Sequence, residues 1–270
     1  GVSVHELMHS WYQMVLGFNE SYYYWMDEGF TNYAAERVMN HLRSKGLIPG
    51  DPDPRPFESF YNGYIDLVMS GVEEPLSTHA DHFEDAGAYG AAAYQKGALF
   101  LYQLEYVIGK PAFDQGLLDF FNTWKFKHPD DNDFIRVMEK SSGLELDWYR
   151  DYMVYSLKTV DYSVDTVFAY QEQSAIILER IRDMPMPIDV VINTKAGTQL
   201  YYTIPLDIMR GAKEERGPDD KPYELLHDWN WVNPSYLFVV PFTPDQIQSV
   251  TIDPYMRMLD LDRENNVWAY

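Results

Sequence analysis

No cysteine occurs among the 270 residues, so disulfide stapling and thiol chemistry are both excluded. Basic residues are scarce: 21 Lys and Arg stand against 42 Asp and Glu, for a formal charge of −21. Dividing the chain after Val160 leaves 12 basic and 24 acidic residues before it and 9 and 18 after it. Neither part therefore carries a segregated basic patch, which disfavours nucleic-acid binding. A negative field of this kind suits a substrate with a protonated amino terminus. Long apolar runs are missing as well, since polar or charged residues break every stretch short of the length a transmembrane helix needs. No internal repeat or low-complexity tract is found. What remains is 46% hydrophobic and 16% aromatic, enough for a sizeable core and for two domains.

The most informative word comes at the start of the chain, His5-Glu6-Leu7-Met8-His9. On a helix of 3.6 residues per turn, positions i and i+4 lie above one another, so His5 and His9 can present two imidazole nitrogens to one metal ion. Glu6, one residue round the helix, is placed to hold and deprotonate an attacking water instead of becoming a ligand. A catalytic zinc site needs a third protein ligand and one open position. Glu28, in Trp25-Met26-Asp27-Glu28-Gly29-Phe30, supplies a carboxylate from the next helix and completes the expected ligand set for one zinc ion. The plainer alternative is that His5 and His9 are ordinary half-buried helix residues beside Trp11 and Tyr12. Asn32 lies one turn beyond Glu28, where its amide could orient a ligand, and Asp27 could do the same or cap the helix start.

These words resemble those of the M1 family of zinc aminopeptidases, a gluzincin group. The resemblance is carried by His5-Glu6-Leu7-Met8-His9-Ser10-Trp11, Trp25 to Phe30, Tyr94-Gln95-Lys96-Gly97-Ala98 and Ser142-Gly143-Leu144-Glu145-Leu146-Asp147-Trp148. Members commonly have Gln after the second histidine and Asn before the third ligand, where this chain has Ser10 and Asp27. Neither departure removes a ligand. The resemblance implies that Tyr94 donates a hydrogen bond to the oxyanion of the tetrahedral intermediate. It also places Tyr89 near the active site, on weaker grounds. The implied activity is removal of amino-terminal residues from peptides with a free amino terminus. An endopeptidase or other hydrolase using the same zinc site, or a non-catalytic interaction module, are the alternatives. In the family a saddle-like β domain and a sheet-bearing half-domain come first and carry a Gly-x-Met-Glu-Asn word whose glutamate binds the substrate amine. That word does not occur here and Gly1 stands four residues before His5, so the expected object is the carboxy-terminal part of a longer enzyme.

The implied fold is multidomain α and β. The helical half of a thermolysin-like zinc peptidase domain, residues 1–160, precedes a small antiparallel β-sandwich, residues 161–270. Periodicity predicts helices over Val2–Leu16, Trp25–Leu42, Phe57–Met69, Gly90–Val107, Ala112–Phe126, Asp133–Lys140 and Asp147–Ser156. Three prolines at 52, 54 and 56 exclude helix between the second and third. Asp130, Asp131 and Asn132 offer caps and Gly143 a stop. The acidic stretch from Gly71 to Ala88 reads as a solvated connector. Beyond Val160 the pattern alternates. Ile188–Thr194 and Thr198–Ile204 about Lys195-Ala196-Gly197 predict a hairpin, with further strands at Tyr236–Val240 and Ile247–Ile252. Ser174–Arg182 is expected to be a strand partnering that hairpin. The charge run Arg210-Gly211-Ala212-Lys213-Glu214-Glu215-Arg216-Gly217 reads as a solvated loop.

Overall fold

A computed structural model describes residues 1–214 and 222–269. Two compact units are formed. One comprises Gly1–Glu105, Lys110–Ser141 and Leu146–Leu157, and the other Tyr106–Gly109, Ser142–Glu145 and the residues from Lys158 on. Among the described residues, no helix is long and apolar enough to cross a membrane.

The first unit is helical. α1 spans Val2–Met8, α2 Glu20–Ser44, α3 Glu58–Ser70 and α4 Ala86–Gly90. A π-helical turn, Ala91–Lys96, joins α4 to α5, Gly97–Ile108. Then come α6 (Lys110–Trp124), α7 (Asp131–Ser142) and α8 (Asp147–Tyr155). α2 begins where the Asn19 side chain accepts the backbone N–H of Ser21. Its fully or nearly buried residues Trp25, Met26, Phe30 and Tyr33 recur at helical spacing and form one apolar face. Phe30 meets Trp25, Phe18 and Phe134, with ring centroids 4.9 to 6.0 Å apart. A buried aromatic side chain contributes about 1.5–3 kcal/mol through the surface it removes from water, so this cluster anchors the helix that carries Glu28. Asp130 and Asp133 cap α7 reciprocally, each carboxylate accepting the other's backbone N–H, and Gly143 leaves it at φ 71°.

Three expectations for this unit are corrected. The first helix ends at Met8, not Leu16. Leu16 is 1% exposed, and the chain reaches that burial by turning at Gln13 (φ 84°) and bridging to Lys127. There the Gly17 N–H donates to Lys127 O at 2.9 Å, so extended pairing replaces the helical ladder. The predicted continuous helix over Gly90–Val107 contains the π turn, in which the Gly97 N–H reaches back five residues to Ala92 O. The acidic stretch after Gly71 is more than a connector: Leu76 is fully buried, its carbonyl accepts the Tyr24 hydroxyl, and Glu73 is buried against Lys96.

The second unit holds two sheets. β1 (Tyr162–Tyr170), β2 (Gln173–Arg180) and β6 (Ser235–Val240) form one, in the order β1-β2-β6. The other runs β5-β4-β3-β7-β8, built from β3 (Ile188–Thr194), β4 (Gln199–Ile204), β5 (Glu224–Leu225), β7 (Ile247–Ile252) and β8 (Val267–Ala269). All pairings are antiparallel except β4 with β5. The predicted hairpin is β3–β4, turning at Gly197 with φ 85°. β2 is a strand, but its partners are β1 and β6 and not the hairpin. The inner faces meet through contacts such as Tyr202 on β4 against Phe238 on β6, 5.8 Å between ring centres. Of the charge run, Arg210 pairs with Glu145 and Lys213 is buried, whereas Glu215, Arg216 and Gly217 lie outside the described residues.

Candidate metal centre

α1 and α2 bring His5, His9 and Glu28 to a single point. His5 Nε2 and His9 Nε2 are 3.1 Å apart, and Glu28 Oε2 lies 3.2 Å from the first and 3.3 Å from the second. All three residues are half-buried and each offers one ligand atom to the same small volume.

The protonation of the two rings follows from what lies behind them. His5 Nδ1 is 2.9 Å from Asn32 Oδ1. Asn32 Nδ2 donates to Tyr94 O at 3.0 Å, which fixes the amide so that its oxygen, an acceptor only, faces His5. His5 Nδ1 is therefore the protonated nitrogen. His9 Nδ1 lies 2.8 Å from Asp27 Oδ1, with Thr31 Oγ1 at 3.3 Å. Burial pushes the Asp27 carboxyl up to about 7, against the opposing pull of the His9 ring. With Nδ1 of each ring tied to a side chain behind it, the two Nε2 atoms face each other and a carboxylate oxygen. Glu28 Oε2 is buried and accepts no hydrogen bond. Three atoms of ligand type so placed can share one cation. Ligands about 2.0–2.1 Å from a tetrahedral zinc stand about 3.3 Å from one another, so the observed triangle has the dimensions of one face of such a site.

Glu28 Oε1, the other carboxylate oxygen, accepts the Tyr94 hydroxyl at 2.8 Å. Burial and that hydrogen bond raise the phenol well above its usual pKa. Glu6 does not join the triangle. It is exposed and lines a cleft of about 370 Å³ together with His5, Asn32, Glu36, Phe60 and Tyr94. All five expected site residues thus converge, three with ligand-type atoms within 3.1 to 3.3 Å of one another and two on the cleft beside them. Tyr89 packs its ring on Tyr24 at 5.0 Å and Phe83 at 5.5 Å, and burial followed by the nearby Glu28 carboxylate raises its phenol above the usual range. Asn32 orients His5, across from α2, and not Glu28 on its own helix.

The backbone around Tyr94 leaves no room for movement. A Cβ on Gly97 would fall 2.7 Å from Trp25 O, and one on Gly29 would fall 2.5 Å from the Gly97 Cα, so the π turn and α2 touch backbone to backbone. The sequence word Tyr94-Gln95-Lys96-Gly97 flagged this segment. Its π geometry carried no signal, because a one-residue bulge leaves the apolar periodicity nearly intact.

The model of the Peptidase family M1 domain matches residues 1–153, more than half of the chain. The chain belongs to peptidase family M1. Curated M1-type relatives include the "Leukotriene A-4 hydrolase homolog" of Botryotinia fuckeliana, 27% identical over 145 residues, covering 49% of this chain and 20% of that protein. "Leucine aminopeptidase 2" of Neosartorya fischeri is 30% identical over 162 residues, covering 54% of this chain and 25% of that protein. The chain therefore spans a fifth to a quarter of the length of these relatives. Among solved structures, Legionella pneumophila aminopeptidase A, in complex with aspartic acid, superposes with a TM-score of 0.59 over 96% of this chain and 26% of its own. Their identity is 15%, so the likeness is one of fold.

Proposed function

We propose that this chain is the metal-holding part of a zinc aminopeptidase, with His5, His9 and Glu28 as the ligands. Residues 1–160 are assigned to the helical part of the peptidase domain and 161–270 to a β-sandwich domain without chemistry of its own. The observation that carries the reading is the triangle of His5 Nε2, His9 Nε2 and Glu28 Oε2, 3.1 to 3.3 Å on a side, with Nδ1 of each imidazole engaged by a side chain behind it. Bound there, zinc would act as a Lewis acid, bringing the pKa of the attacking water towards neutrality and drawing charge from the scissile carbonyl.

The remaining steps belong to side chains. Glu6, a carboxylate open to the cleft, takes the proton from the attacking water and passes it to the departing amine as the C–N bond breaks. The Tyr94 hydroxyl, held by Glu28 Oε1, is the donor for the negative charge that develops on the former carbonyl oxygen. Asp27 and Asn32 keep the two rings aimed. Peptides with a free amino terminus are the proposed substrates, for a polypeptide of the relatives' full length that carries this sequence.

Metal analysis and turnover of an aminoacyl amide, in the wild type and in Glu6→Gln, test the proposal. The expected result is one zinc per chain in both, with turnover in the variant lower by on the order of 10²–10⁴. Wild-type turnover in Glu6→Gln would remove Glu6 as the base. A wild type that takes up no zinc when it is supplied would remove the ligand assignment.

A further inference from the structure

Lys96 and Glu73 form an ion pair that touches neither the ligands nor the cleft. The distance from Lys96 Nζ to Glu73 Oε1 is 2.7 Å, and the two side chains are 4% and 7% exposed. A pair this deep resists the relaxation that surface pairs undergo, because water cannot replace either partner. Its position is specific. Lys96 is the last residue of the π turn and Tyr94 stands two residues before it, while Glu73 follows the left-handed Gly71 that ends α3.

The same turn is gripped on its other sides. Gln95 packs so closely on Gly63 of α3 that a Cβ there would lie 2.3 Å from its Oε1. Gly97 touches Trp25 and Gly29, and Asn32 donates to Tyr94 O. Of these contacts, the ion pair alone is a charged anchor. A π turn is rare and gives up regular α hydrogen bonding, so it persists only where surrounding contacts over-determine it. Reverting to α geometry would change the number of residues before Gly97 in the turn and swing Tyr94 away from Glu28.

We infer that Lys96 and Glu73 are positioning residues which hold the π-helical turn and so keep the Tyr94 hydroxyl on the metal centre. This rests on the reading of Tyr94 as the oxyanion donor and extends it to a pair outside the site.

The test combines kinetics in the full-length polypeptide with amide hydrogen exchange on this chain. Lys96→Met, and the double variant Lys96→Met with Glu73→Leu, which removes both charges and so leaves none buried alone, are compared with Tyr94→Phe. Tyr94→Phe is expected to lower kcat by about 10²–10³. Both pair variants should keep their zinc, change KM little and lower kcat by at least tenfold. Adding Tyr94→Phe to either should then cost less than it does in the wild type, because the phenol has already lost its aim. Exchange over residues 91–97 should quicken in the double variant while the α2 amides stay protected. A pair variant with wild-type kcat, a full additional loss on adding Tyr94→Phe, or unchanged exchange over residues 91–97 would each overturn the positioning role. If Tyr94→Phe itself turned over normally, the oxyanion reading would fail, and the exchange result would still decide whether the pair holds the turn.

Discussion

Two buried polar clusters, one in each unit, are built to opposite ends. In the β unit, Asp189 is 4% exposed. It receives Lys213 Nζ at 2.6 Å, the Thr203 hydroxyl, and on its backbone N–H side the Tyr106 oxygen at 3.0 Å. The Lys213 ammonium also lies 3.6 Å from the centre of the Tyr106 ring. Each donor there meets an acceptor and positive charge meets negative, so the cluster is complete in itself. In the helical unit, Nδ1 of His5 and of His9 is engaged by a side chain behind each ring, leaving two nitrogens and one carboxylate oxygen facing one another. Burial is comparable in kind, but the second cluster presents three atoms that could hold a cation, as the proposed function has it. A satisfied polar core reads as architecture, and an unsatisfied convergence of acceptors reads as a binding site.

Substitutions in the two clusters should therefore fail differently. The largest effect is expected at the ligands: His5→Ala or His9→Ala should take bound zinc from one per chain to none measurable by metal analysis and abolish turnover. The same variants should lose the zinc-dependent rise in thermal midpoint, since a ligand stabilises only the state it binds. Lys213→Met should leave zinc content unchanged. It strands the Asp189 carboxylate in a dry site and should lower stability by about 3–5 kcal/mol in urea unfolding, with much of the loss recovered when Asp189 is replaced by Asn in the same chain. If Lys213→Met released zinc, or His5→Ala unfolded the chain as severely as Lys213→Met, the contrast between the clusters would not hold.

The smallest effect concerns pH. Burial pushes the Asp260 carboxyl up to about 7, and the backbone N–H groups of Tyr162 and Asp262 only partly offset it. An unfolded Asp titrates near 3.9, so between about pH 4 and pH 7 the native state holds a proton that the unfolded chain has released. Stability from this group is complete below that window and is lost as pH rises through it, by at most about 1.4 kcal/mol per pH unit. Urea midpoints at pH 5 and pH 8 should therefore differ less in Asp260→Asn than in the wild type. An equal or larger difference in the variant would remove Asp260 as the source.

Much of the centre was legible because its chemistry is local. The i, i+4 histidines need one helical turn, which Val2–Met8 provides, and Glu28 sits on the helix that the Trp25, Phe30 and Tyr33 spacing announces. The β3–β4 hairpin and β7 were legible for the same reason, as alternation with a Gly turn is local information. What stayed hidden depends on residues distant in sequence. α1 is shorter than its apolar pattern suggests because the pull on Leu16 comes from Lys127, more than a hundred residues away. The pairing of β2 with β1 and β6, not with the hairpin, is not local information, because it is settled by which strands return to it, and β6 comes from far downstream. The Glu73–Lys96 pair lay in a stretch whose acidity suggested solvent. Only the fold shows that one of those acids is dry.

Asn32 binds two parts of the centre with one planar group. Its oxygen sets the tautomer of His5, and its nitrogen holds the carbonyl of Tyr94. Because the amide is rigid, rotating to improve one bond spoils the other. The His5 ring and the turn that bears the phenol are thereby tied to one planar group, so a shift of that ring tugs on the turn without any larger rearrangement of the helices.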